Sequence, residues 1–170
     1  MLYNLTKHGN RKVIFILGKG RLLNQSIVSK KPNALFCEAA CPVQVIEIAE
    51  KQFLQLMEQS HALTRAVLRE YERNLWRMGH QLKNTTGNMQ MERKIAAKLW
   101  KLGRDFGVDT EEGVMIDIDL TITLMADLVG APRENVSRAC KVLTDRGLIC
   151  YGNKRFILID FDGLAEFYKM

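Results

Sequence analysis

The sequence predicts an α+β chain: a partial β domain, then a long helix of coiled-coil character, then a helix-turn-helix closed by a β-hairpin. Three observations predict it. Residues 1–48 hold short β-branched runs punctuated by glycine and proline. Residues 60–83 repeat large apolar side chains every three or four positions. Residues 129–149, VGAPRENVSRACKVLTDRGLI, sort apolar from charged residues onto two faces at helical spacing.

At 170 residues the chain suits one domain or two small ones, and 47% hydrophobic with 26% charged residues is a soluble, globular mixture. No apolar run approaches the ~20 residues of a membrane span. Val13–Leu17 is too short for a secretory signal core, so a cytoplasmic protein without a membrane partner is expected. The net charge of +6 is uneven. Residues 1–107 carry 18 Lys/Arg against 8 Asp/Glu, whereas residues 108–170 carry 7 against 11, a net of −4. Nucleic-acid binding by the C-terminal part must therefore rest on local arrangement rather than on bulk charge.

Arg11–Leu17 and Val43–Ile48 read as strands, and the stretch between them, with Pro32 and Pro42, as irregular. Glu50–Gln59 reads as a short helix. Ser60 is placed to cap a long one that runs to about Lys83. In that helix Leu68, Tyr71, Leu75, Met78 and Leu82 are spaced 3, 4, 3, 4, a seam of a and d positions, while Arg65, Arg69, Arg73 and Arg77 take other faces. Such a seam can pack within its own domain or pair with a second copy. Its large residues and the length of the helix favour a homodimer. Asn84–Asn88 breaks the pattern and reads as part of a hinge over residues 84–90. Residues 91–106 resume as an amphipathic helix with Ile95, Leu99, Leu102 and Phe106 on one stripe. A strand at Val114–Ile118, helices at about 123–129 and 133–146, a hairpin around Gly152-Asn153-Lys154 and a short helix at Asp162–Tyr168 complete the reading.

The last helical pair has the chemistry to read DNA. Val136, Ala139, Cys140 and Leu143 share one face, and Glu134, Ser137, Arg138 and Lys141 share another. Ahead of them Ala126 permits close crossing, Gly130 a sharp turn, and Val136 an apolar anchor. Arginine can donate two hydrogen bonds to guanine N7 and O6, and glutamate can accept one from cytosine N4. Ser137 suits a phosphate or a close base contact, and a helix N-terminus favours phosphate. Pro132 fits a first helical turn, where its missing N–H costs nothing. Lys154 and Arg155 on the hairpin can reach the phosphate backbone as a wing.

These motifs resemble the winged helix-turn-helix of the CRP/FNR transcription regulators. The resemblance is carried by A-D-L-V-G (126–130), R-E-N-V-S-R (133–138), K-V-L-T-D-R-G-L-I (141–149) and the hairpin after them. It extends back to M-E-R-K-I-A-A-K-L-W-K-L (91–102), to the heptad helix, and to G-K-G-R-L-L-N-Q (18–25) and A-A-C-P-V-Q-V-I-E-I (39–48), which are similar to late parts of the family's β-roll. The resemblance implies a partial β-roll of double-stranded β-helix type, a dimerisation helix and a C-terminal winged helix-turn-helix. The implied boundaries are 1–59, 60–90 and 91–170. It also implies half-site reading by Arg133, Glu134, Ser137 and Arg138 on guanine-containing palindromes with TGTGA-like or TTGA-like cores, and RNA polymerase as a partner. Pro132 departs from the family's frequent Ser or Thr at that position and leaves Ala131 as a poor N-cap.

The family's cyclic-nucleotide pocket uses Gly-Glu and Arg-Ser pairs. The aligned positions here are Asn24-Gln25 and Lys31-Pro32. Gln25 brings no charge and Lys31 only a point charge. Binding of cAMP is therefore not expected, and Asn24, Gln25 and Lys31 remain candidates for an unidentified small-molecule effector. Residues 1–48 are too few for a jelly roll of about eight strands, which implies either a longer natural chain or a reduced effector domain. Cys37 and Cys41 form C-E-A-A-C, a pair that could act as a redox switch, but an iron–sulfur cluster needs four ligands. Cys140 is expected to be packing. His8, His61 and His80 lack metal-ligand spacing.

No catalytic constellation is present. Gly18-Lys19-Gly20 is not a phosphate loop, there is no nucleophile elbow, and Ser60 and His61 are adjacent, so they cannot face each other. The expected protein is not an enzyme, and no cofactor is assigned. The competing expectation is a dimeric ligand-binding or interaction module with a non-functional helix-turn-helix, which the acidic balance of residues 108–170 favours.

Overall fold

The computed structural model describes residues 1–7, 9–24, 26–28, 31–83 and 89–169. Its elements run β1 (Leu2–Leu5), β2 (Arg11–Phe15), β3 (Phe36–Cys37), α1 (Glu50–Gln59), α2 (His61–Lys83) and α3 (Met91–Phe106). They continue with β4 (Gly107–Thr110), β5 (Gly113–Ile116), α4 (Ile122–Val129), α5 (Arg133–Asp145), β6 (Ile149–Gly152), β7 (Arg155–Leu158) and α6 (Phe161–Lys169). The α+β class and the order of the helices agree with the sequence reading. The chain forms two compact units, Met1–Asn4 with Phe15–Gly87, and Leu5–Ile14 with Asn88–Met170.

In the first unit β1 pairs antiparallel with β3, Leu2 and Tyr3 opposite Cys37 and Phe36. β2 ends two residues before the expected Leu17. The expected strand at Val43–Ile48 is absent: the segment is irregular and exposed, with Val45 at 61% and Ile46 at 89%. A strand needs a neighbour for its N–H and C=O groups, and none of the described strands pairs with it. β-Branched composition alone does not supply that neighbour.

In the first unit Ser60 joins two helices as the sequence suggested. Its N–H closes α1 on the Leu56 carbonyl, and its Oγ accepts the Leu63 N–H at 3.2 Å to open α2. One face of α2 is buried through Val67 and Asn74. The seam lies elsewhere on the helix. Leu68, Leu75, Met78 and Leu82 are 46–69% exposed, and Tyr71 is half-buried. Residues 84–88 of the expected hinge lie outside the described residues.

In the second unit α3 supplies Ile95, Ala96, Leu99 and Leu102 to the core. The buried set of this unit also includes Ile116, Leu120, Met125, Val136, Leu143, Ile149, Phe156, Leu158 and Leu164, none more than 5% exposed. Gly103 lets α6 approach: a Cβ there would lie 2.5 Å from Leu158 Cδ1 and 2.9 Å from Phe161 Cε2. An antiparallel sheet of order β4-β5-β7-β6 completes the unit. β4 was not foreseen, because Gly107–Thr110 is short, polar and exposed. The hairpin turn is Asn153-Lys154, both at positive φ (50° and 60°), between the paired residues Gly152 and Arg155. That is the I′ geometry matching strand twist. Leu143 is 0% exposed. Leu143→Ala is therefore expected to lower unfolding free energy by about 2–5 kcal/mol, measured by urea denaturation. A loss under about 1 kcal/mol would contradict this packing.

Candidate nucleic-acid interface

α4 starts on Thr121, whose Oγ1 accepts the Leu124 N–H at 3.0 Å. It ends on Gly130 in the left-handed conformation, φ 72°. The Gly130 and Ala131 amides both donate to the Ala126 carbonyl, at 2.7 and 3.2 Å. This turns the chain into α5 within three residues. Pro132 is the N-cap itself, one position earlier than the expected first turn, and it makes no side-chain cap bond. Its carbonyl instead accepts the Asn135 and Val136 amides at 3.1 and 3.2 Å.

α5 sorts its residues as the periodicity required. Val136, Ala139, Cys140 and Leu143 are buried. Arg133, Glu134, Ser137, Arg138 and Lys141 are all exposed, three cations and one carboxylate on two turns and a half. Arg138 Nη2 donates to Asn135 Oδ1 at 2.6 Å, which holds the guanidinium along the helix. On the wing, Lys154 is exposed at the turn. Arg155 is half-buried and committed elsewhere: Nη1 bonds Asp117 Oδ1 and Nη2 lies 3.6 Å from Asp119 Oδ1. This clamp has no local signal in the sequence, since nothing near Asp117 and Asp119 marks them as partners of Arg155. A groove lined by Met91, Arg93, Val142, Arg146, Leu148 and Phe167 lies at the other end of α5 and is not part of this face.

Cys140 packs as expected, and burial pushes its thiol up to about 11. Cys37, Cys41 and Cys150 are exposed and free. Iodoacetamide at about pH 8 is therefore expected to label these three in the native protein and Cys140 only after denaturation, as mass spectrometry would show. Labelling of native Cys140 at a rate like theirs would contradict the packing.

In the first unit a small cavity of about 10 Å³ is lined by Leu22, Asn24, Glu70, Tyr71 and Asn74. That is room for about one water. Asn24 is among the lining residues, and its Oδ1 accepts the Ser26 amide at 2.8 Å. Gln25 lies outside the described residues. Lys31 is exposed and does not line the cavity. Glu70 of the lining pairs with Arg21 at 2.8 Å. Asn74 is 6% exposed, and its Oδ1 has no hydrogen-bond partner among the described residues. Arg21, Glu70 and Asn74 escaped the sequence reading. Their one signal was a polar position on the buried face of the long helix.

Residues 93–167 match the model of the Crp-like helix-turn-helix domain. Residues 93–167 are thus similar to the helix-turn-helix domain of Crp-like proteins. It is 25% identical over 117 residues to the global nitrogen regulator of Nostoc sp., covering 69% of this chain and 52% of that one. It is 23% identical over 159 residues to a CRP-like cAMP-activated global transcriptional regulator of Mycobacterium tuberculosis, covering 93% and 70%. The chain thus spans about half the length of the Nostoc relative. Among solved structures it is similar to TTHA1359, a CRP/FNR-family transcriptional regulator of Thermus thermophilus, with TM-score 0.78, 20% identity and coverage of 99% and 82%. It is also similar to FixK2 of Bradyrhizobium japonicum, with TM-score 0.68, 16% identity and coverage of 97% and 80%. These likenesses bear on the fold.

Proposed function

We propose that the chain is a sequence-specific, DNA-binding transcription regulator that acts as a homodimer on palindromic sites. One observation carries the reading: the exposed face of α5 gathers Arg133, Glu134, Ser137, Arg138 and Lys141 while its opposite face is fully packed. A helix so held can enter the major groove with its donors aimed at base edges. Lys154 is the wing's phosphate contact. Arg155 serves first to brace the wing on Asp117 and Asp119.

The exposed seam of α2 supports dimerisation, since Leu68, Leu75 and Met78 present large apolar side chains to solvent along one stripe. Two recognition helices would then meet half-sites one turn of DNA apart, about 34 Å. Control by an effector is part of the proposal, through rearrangement of residues 84–90. The proposed effector differs from cAMP, since Asn24-Gln25 and Lys31-Pro32 stand where the cyclic-nucleotide pocket has Gly-Glu and Arg-Ser pairs. RNA polymerase is the proposed partner at the promoter. The protein works in the cytoplasm and catalyses no reaction.

Selection of bound duplexes from a random DNA pool tests the reading, with sedimentation of the free and bound protein. Enrichment of a two-fold palindrome bound by two chains is expected. Binding without enrichment of any sequence would overturn it.

A further inference from the structure

We propose that Lys12 is a positioning residue for the recognition helix: its ammonium, carried by β2, holds the C-terminal end of α4 and so the turn into α5. This rests on the DNA-reading role of α5 proposed above.

Lys12 Nζ donates to the Leu128 carbonyl at 2.8 Å. That carbonyl belongs to the last turn of α4, where carbonyls have no intrahelical partner and a cation opposes the helix dipole. The neighbouring contact has the same sense: Arg11 Nε lies 3.8 Å from Asp127 Oδ2. Two consecutive residues of β2 therefore grip two consecutive residues at the end of α4. Both pairs lie in the same compact unit.

The grip bears directly on Gly130. A Cβ there would come within 2.9 Å of Lys12 Nζ, and φ is 72°. The positive φ requires glycine, and a side chain there would displace the lysine end from its carbonyl. Beyond it, Pro132 caps α5 without a side-chain bond. The first turn of α5, with Arg133, is thus placed by the chain that enters it. That chain is held at its upstream end by Lys12.

The location is a costly one for a lysine. Burial lowers its proton affinity, and the charge of Lys94 lowers it further. Asp127 is raised by burial, with Arg11 opposing. A free surface lysine would leave such a place for water. Its engagement with Leu128 also distinguishes it from a phosphate contact, for which its ammonium would have to be free.

The test uses the full chain and two variants, Lys12→Met, which keeps the stem and removes the ammonium, and Lys12→Arg, which keeps the charge. Lys12→Gln replaces the methionine variant if that one fails to fold. Amide hydrogen exchange at Gly130 and Ala131 is expected to quicken about tenfold in Lys12→Met and to stay near the parent rate in Lys12→Arg. Preference for the selected duplex over random DNA is expected to fall about tenfold, with the salt dependence of binding unchanged. A lower melting temperature with full preference would make the residue merely structural and overturn the proposal. So would unchanged exchange in a folded Lys12→Met. A salt slope smaller by about one would make it a phosphate contact instead. If the parent chain selects no duplex, the DNA-reading role fails and the positioning role fails with it. The exchange result then still decides whether Lys12 holds the turn.

Discussion

Arg138→Ala is expected to weaken binding to the cognate duplex by about 1–3 kcal/mol and to make one base-pair position of each half-site permissive. Arg138 stands on the exposed face of α5, one turn beyond Glu134. Its guanidinium is aligned by Asn135 Oδ1 at 2.6 Å, so little rotamer freedom remains to be lost on binding. The fork matches N7 and O6 of guanine, and an alanine leaves both acceptors without protein donors. Lys141→Ala should behave differently, weakening all sequences alike and reducing the salt slope by about one. Fluorescence anisotropy on the cognate duplex and its single-base variants separates the two. Equal losses on every duplex for Arg138→Ala would remove it from base reading.

Leu75→Asp is expected to yield a folded monomer. Leu75 is 69% exposed at the middle of the seam, between Tyr71 and Met78, so the change costs the isolated chain little. In a parallel pair it would bury two like carboxylates without partners, a penalty of about 3–5 kcal/mol for each uncompensated charge. Sedimentation should show half the mass, and affinity for the palindrome should drop toward that of a single half-site. A dimer of unchanged stability would place the interface elsewhere. Asn74→Leu, on the buried face of the same helix, is the control for effects on folding.

The helices were legible because their periodicity reports burial directly. The four apolar positions of α5 are the four that are buried, and Gly130 is left-handed as the turn required. Ser60 and Asn153-Lys154 were legible because caps and I′ turns have their own local chemistry. The strands were less so. Val43–Ile48 has strand composition without a strand, and Gly107–Thr110 a strand without the composition. In both, pairing rather than propensity decides. At the site, the exposed and buried faces of α5 were legible because a face is a property of one helix. Arg155 is not the free wing cation its sequence position suggests, because Asp117, 38 positions away, is brought to it only by the pairing of β5 with β7. Lys12 was invisible for the same reason, its acceptor lying 116 residues downstream.

The most direct test of base reading by α5 replaces, one at a time, each guanine of the selected half-site with 7-deazaguanine. That change deletes a single major-groove acceptor and leaves pairing intact. Binding of the parent chain to each substituted duplex is compared with that of Arg138→Ala. The expected result is one guanine whose substitution weakens the parent by part of what Arg138→Ala costs, with no further loss when that substitution is combined with Arg138→Ala. Full, additive losses at every guanine would show that Arg138 touches none of them, and would contradict recognition through this face of α5.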